Sequence, residues 1–167
     1  MELWDLYYRD ETPSGQTISK RYTNMPEGLF HIIVETLVKH TDGTYLVMQR
    51  SFTKEEAPGR YEGSAGGSVL AGETKTEAAI REVLEETALI ITEVTPTYYF
   101  INDDRGVINQ GYVAVTSSPK TSVTYLDGET INHKWLTLSE LKAFITTDAY
   151  NQSHRKRLET YLGTIDE

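Results

Sequence analysis

The sequence contains no cysteine. Disulfides, thiolate metal centres and every cysteine-nucleophile mechanism are thereby excluded together, and a reducing, cytoplasmic setting fits. No apolar run approaches the ~20 residues of a membrane span. The opening residues, Met1-Glu2-Leu3-Trp4-Asp5, are acidic and aromatic, unlike a secretory signal. Positive charge is scarce: 16 Lys and Arg stand against 25 Asp and Glu, for a net charge of −9. The most basic stretch is only His154-Arg155-Lys156-Arg157. Such a surface repels nucleic acid, so neither nucleic acid nor membrane is an expected partner. Low-complexity tracts and repeats are missing as well.

What is present fits one domain over residues 1–167. The length of 167 residues is near the ~150 of a typical domain. A hydrophobic fraction of 38% and a charged fraction of 25% are globular values. Residues 2–8 and 16–22 read as the strands of an N-terminal hairpin (residues 1–23), turning at Thr12-Pro13-Ser14-Gly15. Residues 31–38 and 44–50 predict a second hairpin around Thr41-Asp42-Gly43. A glycine-rich stretch follows, with Gly59, Gly63, Gly66, Gly67 and Gly72. Residues 75–87 form the strongest helix signal, opened by the capping box of Thr74 and Glu77. Residues 89–101 and 107–117 predict a third hairpin, and 131–136 a further strand. Thr137 with Glu140 caps a second helix, with Leu138, Leu141, Phe144 and Ile145 inward. A third runs from about Asn151 to Leu162, ending at Gly163 as C′. This order predicts a mixed α/β layer fold.

The first helix carries the chemistry. At about 100° per residue, Glu82, Glu85 and Glu86 share an arc of roughly 100°. Thr76, Ile80, Val83, Leu84 and Thr87 lie opposite and are expected to be the buried stripe. A solvated acidic face is the plain alternative. Against it, like charges three and four residues apart repel, with only Lys75 and Arg81 near to compensate. Ala78 and Ala79 also lie on the acid side, where small residues admit another backbone; the glycine-rich segment 63–72 is the adjacent candidate. Clustered carboxylates with backbone carbonyls suit a hard divalent cation, Mg²⁺ or Mn²⁺.

Residues 67–89 resemble the Nudix box, Gly-x5-Glu-x7-Arg-Glu-U-x-Glu-Glu-x-Gly-U with U a bulky aliphatic. Gly67, Glu73, Arg81, Glu82, Val83, Glu85, Glu86 and Leu89 match it, and Ala88 stands where the pattern has glycine. The resemblance implies the Nudix fold, an α/β/α sandwich, and metal-dependent hydrolysis of a diphosphate bond in a nucleoside diphosphate linked to another moiety. It assigns Glu82, Glu85 and Glu86 to holding the cations and activating water, with Glu82 and Glu86 as direct ligands. It assigns Arg81 to orienting those acids, Glu73 to pairing with Arg81, and the Gly67 carbonyl to the metal shell. At Ala88 a left-handed helix end would cost about 1 kcal/mol, unless the helix ends differently.

The front of the chain resembles the isopentenyl-diphosphate isomerase-like branch, through Trp4-Asp5, Gly15, Gly28-Leu29-Phe30-His31, Arg50-x3-Lys54 and Pro58-Gly59. The isomerase itself needs a cysteine at the position of Ala65, and histidines at Gly67 and near Asn24. All are absent, so the isomerase reading loses; His31, the one match to an isomerase ligand, reads as a hydrogen-bonded strand histidine. A catalytically inactive Nudix-fold binding module is the other rival, disfavoured by the complete set of acids. Arg50 and Lys54, with Lys20 or Arg21, are candidates to grip the diphosphate. Glu129 is a candidate auxiliary base, or else a solvated turn acid beside Asp127-Gly128. Tyr98, Tyr99 and Phe100 are candidates for stacking on a base, or else, for two of the three, alternate core residues on a long strand. His40, His133 and His154 read as exposed. The aromatic hairpin residues Trp4, Tyr7, Tyr8 and Tyr22 point to a homodimer, or to a cover over the chain's own core.

Overall fold

The computed structural model describes residues 1–19 and 24–166. Nine strands and three helices follow in order: β1 (Leu3–Tyr7), β2 (Pro13–Ser19), β3 (His31–His40), β4 (Tyr45–Arg50), β5 (Tyr61–Glu62), β6 (Ala65–Ser68), α1 (Lys75–Thr87), β7 (Thr95–Asn102), β8 (Val107–Thr116), β9 (Thr130–Leu136), α2 (Leu138–Phe144) and α3 (Gln152–Leu162). β3 and β8 pair in parallel over their whole length, from His31↔Val107 to His40↔Thr116. β7 adds antiparallel outside β8, and β6 lies against the other edge of β3. β4 joins the far end of β3 and carries β9 and β5. The result is a mixed sheet, with β1 and β2 as a separate antiparallel hairpin.

Strand alternation divides the core into two layers. Ile32, Val34, Val38, Leu46, Met48 and Ile108 face α1, meeting Ala78, Ala79 and Val83. Leu37, Tyr45 and Val47 face the other way, toward Leu138 and Leu141 of α2 and Leu158 and Leu162 of α3. The chain is thus an α/β/α sandwich. Both expected capping boxes form, at Thr74/Glu77 and Thr137/Glu140, and Asn151 caps α3.

Three expectations are corrected. The first hairpin turns at residues 8–12, where the Tyr8 N–H donates to the Thr12 carbonyl at 2.9 Å and Glu11 adopts φ 65°. Gly15 instead occupies β2 where its register against β1 shifts between Asp5 and Tyr7, so its positive φ of 75° serves a bulge. Residues 89–94 are not strand; they form a connection that buries Leu89 and Ile91 against the α1 layer. α3 does end at Gly163 as expected, with φ −70° in the right-handed region. On α1 the buried side is Ala78, Ala79, Glu82, Val83 and Thr87, whereas Leu84 is 54% exposed and Thr76 is exposed. The alanines let the helix lie close to the sheet, and this rolls the acidic side inward.

Candidate active site

The glycine-rich segment folds over the acidic side of α1, as the small residues there require. The Gly66 N–H donates to Glu86 Oε2 at 3.2 Å. A Cβ at Gly67 would collide with the Glu82 carboxylate, and one at Gly66 would lie 2.9 Å from the Val34 carbonyl. Glycine is therefore demanded twice by close approach.

Arg81 organises the neighbouring acids. Its Nε and Nη2 grip Glu73 at 2.7 and 2.9 Å, its Nη1 reaches Glu82 at 2.6 Å and Glu85 at 3.3 Å, and Nη2 also donates to the Ser68 carbonyl. Glu73 in turn accepts from the Leu70 N–H at 2.9 Å, and its carboxyl is held below its usual range despite burial. Glu86 is different. Burial raises its pKa well above the usual carboxylate range, and the charges of Glu82, Glu62 and Glu129 add to this, opposed only by the Gly66 N–H. Burial also pushes Glu82 up, with Arg81 pulling against it.

Among the described residues, no three carboxylate or imidazole groups converge as a ready-made metal shell, since Arg81 draws Glu82 and Glu85 toward itself. The donor chemistry still suits a hard cation. A buried and a half-buried carboxylate, with one N–H between them and mutually unfavourable charge, are what a divalent ion would relieve.

Gly66 and Gly67 also form part of the wall of a cleft of about 580 Å³. Arg50 and Glu62 line it nearby, and Asn102, Arg105, Asn109, Ser153 and Arg157 line it farther along. Arg50 donates from Nη1 to Glu62 at 2.6 Å and from Nε to the Glu56 carbonyl at 2.9 Å. Lys54 pairs with Glu129, whose charge reaches Glu86. Lys54 and Glu129 thus sit together beside the acids and off the cleft wall. Lys20 and Arg21 lie outside the described residues.

The histidines depart most from expectation. His154 is 5% exposed, with Nδ1 2.8 Å from the Tyr150 hydroxyl and Nε2 3.2 Å from that of Tyr98. Tyr98 donates to Glu35 at 2.7 Å, and Arg157 clasps the same carboxylate at 2.5 and 2.8 Å. Sequence reasoning missed this network because its members come from β3, β7, α3 and the connection that precedes α3. Tyr98 is accordingly a core residue, while Tyr99 and Phe100 are exposed. His133 is partly covered, with Nδ1 2.8 Å from the Tyr125 hydroxyl, and His40 is partly covered too, taking the Asp42 N–H. His31 stacks on Trp4 with ring centroids 4.4 Å apart, and burial lowers its pKa to about 4.

A mixed sheet between helix layers, with a glycine-backed acidic helix on one face, marks a class of protein. Residues 29–160 match the NUDIX domain, and the chain belongs to the Nudix hydrolase family. The Nudix hydrolase lmo0368 of Listeria monocytogenes is 30% identical, over 86% of this chain and 84% of that protein. The isopentenyl-diphosphate Delta-isomerase of Salmonella typhi is 28% identical, over 93% of this chain and 94% of that protein. Among solved structures, DR0079 of Deinococcus radiodurans shares the fold with a TM-score of 0.74 at 20% identity, covering 96% of this chain and 99% of that one. No described helix is long and apolar enough to cross a membrane.

Proposed function

We propose that the chain hydrolyses the diphosphate bond of a nucleoside diphosphate derivative and requires Mg²⁺ or Mn²⁺. The observation that carries this is Glu86, a half-buried carboxylate left without a counter-charge beside the buried Glu82. A cation held by Glu82 and Glu86, with Glu85 and the Gly67 carbonyl as further oxygens, would supply a water of lowered pKa and neutralise phosphate oxygens. Arg81, fixed by Glu73, positions Glu82 and Glu85. Arg50 meets the diphosphate from the cleft wall, exchanging its contact with Glu62. Glu129 and Lys54 stand as an auxiliary acid and its partner.

Relatives named as isopentenyl-diphosphate isomerases raise isomerisation as a rival. Against it, the chain has no cysteine, and a side chain at Gly67 would displace Glu82. Of the hairpin aromatics that motivate a homodimer, Trp4 stacks on His31 and Tyr7 packs on the chain's own core, Tyr8 is 48% exposed, and Tyr22 lies outside the described residues.

Product release from a panel of nucleoside diphosphate derivatives with Mg²⁺ tests the reading. Turnover that chelation abolishes is expected. Binding without turnover of any diphosphate compound would refute it.

A further inference from the structure

Asn109 sits on β8, facing away from α1 with its cross-strand partners Ile33 and Phe100. It is only 8% exposed, yet its carboxamide has no hydrogen-bond partner among the described residues. Its neighbour Gln110, equally buried on the other face, donates to the Tyr98 and Gly111 carbonyls at 3.1 Å. Buried amides are ordinarily satisfied in this way. The fully buried polar atoms that lack partners among the described residues are Trp4 Nε1 and the hydroxyls of Thr36, Thr97 and Thr130, and none of these residues lines the cleft. Asn109 does. It stands where the cleft runs into a second, shallower groove of about 520 Å³, and it borders both.

The groove adds Phe100, which is 37% exposed. As antiparallel partners, Phe100 and Asn109 have Cβ atoms about 5 Å apart on the same face. One residue offers a flat apolar ring, the other a donor and an acceptor at once. That pairing suits a planar heterocycle with polar edges. An isoprenoid chain lying there would bury the Asn109 amide, with Asn102 and Ser153 nearby, and return no hydrogen bond to it.

We propose that Asn109 reads the edge of the substrate's nucleobase, with Phe100 beneath the ring, and thereby sets the selectivity of the cleft for nucleotides over isoprenoid diphosphates. The inference rests on the diphosphate hydrolase reading. Asn109 is a specificity residue, since it is built into the wall away from the acids.

The test compares wild type with Asn109→Ala and Asn109→Asp. Steady-state hydrolysis is measured on ADP-, GDP-, CDP- and UDP-linked substrates and on isopentenyl diphosphate. Calorimetric binding of the four nucleoside diphosphates to the Glu86→Gln background runs in parallel, and thermal melts check folding. Wild type should favour its best nucleotide over isopentenyl diphosphate by at least 10-fold in kcat/KM. Asn109→Ala should lose 10- to 100-fold on that nucleotide, chiefly through KM, with isopentenyl diphosphate unaffected. Asn109→Asp, an acceptor without a donor, should reorder the four bases. Equal losses on nucleotide and isoprenoid, an unchanged base order with unchanged affinities, or a wild-type preference for isopentenyl diphosphate would overturn the proposal. If no compound is hydrolysed, the hydrolase reading fails by itself; the binding arm still decides the role of Asn109, by whether nucleotide affinity drops 10-fold in Asn109→Ala.

Discussion

The two ends of the cleft are built in opposite ways. At the acid end, β6 and α1 are consecutive, and the groups that matter fall between Gly66 and Glu86. They reach one another through a tight loop, a capping box and one helical turn. At the polar end, Glu35, Tyr98, Asn109, His154 and Arg157 come from four elements that only the finished fold unites. The acid end carries excess negative charge, whereas the polar end is neutralised internally, by Arg157 on Glu35. The proposed reaction centre lies where charge is left uncompensated; the compensated end holds the wall in place and leaves one amide free.

Breaking the compensation should give the largest effect. Arg157→Met removes one partner of the partly buried pair and leaves the Glu35 carboxylate without its main counter-ion. The expected loss is about 3–5 kcal/mol in urea unfolding, the range for stranding one member of a buried pair. Adding Glu35→Gln should return much of it. A loss within 1 kcal/mol, on the order of an exposed pair, would equate the two ends.

At the acid end the sign reverses. Glu86→Gln should lower kcat by at least ~10²-fold in Mg²⁺. The same change should make the metal-free protein more stable near neutral pH. The raised pKa of Glu86 means that the folded state binds its proton more tightly than the unfolded state does, so the charged form is a burden above the unfolded value of about 4.3. Melting in EDTA should show the variant above wild type, and Mg²⁺ should raise wild type more than the variant.

The histidine inside the polar end gives a smaller, pH-dependent effect. Burial lowers the pKa of His154, so the unfolded state takes a proton that the folded state declines. Glu35, Tyr98, Tyr150 and Arg157 surround it. Stability should therefore fall as pH drops below about 6.5, with a slope bounded by about 1.4 kcal/mol per pH unit per proton. His154→Gln should flatten that part of the profile in urea titrations at successive pH values.

The smallest effect belongs to the helix end. Ala88 adopts φ 60°, ψ 8°, the left-handed conformation that the missing glycine would have taken without strain. Ala88→Gly should stabilise by about 1 kcal/mol, with activity unchanged.

Legibility followed the same division. The limits of α1, both capping boxes and the approach of Gly66 and Gly67 to the acids could be read from spacing, because all depend on neighbours in the chain. The buried face of α1 was misjudged. The helical wheel counts Leu84 as apolar and Glu82 as polar, but two alanines and a glycine strand decide which side the sheet can approach. His154 was misplaced for a related reason: its partners Tyr98 and Tyr150 become visible only once α3 lies beside β7. Asn109 carried no signal at all, since an asparagine on a strand has no spacing that betrays an open groove beside it.

The parallel seam between β3 and β8 has a kinetic consequence. β3 leaves the ribosome long before β8 exists, and until then its Ile32 and Val34 have no pairing partner along the Val107–Thr116 edge. The local pairings with β4 and β6 form first and cover only part of β3. The rest must wait for closure of a loop that contains the acidic helix itself. The acidic helix thus lies inside the loop that this pairing closes, and a nascent chain halted before residue 107 holds its acids and glycines while the β8 edge of β3 is still open.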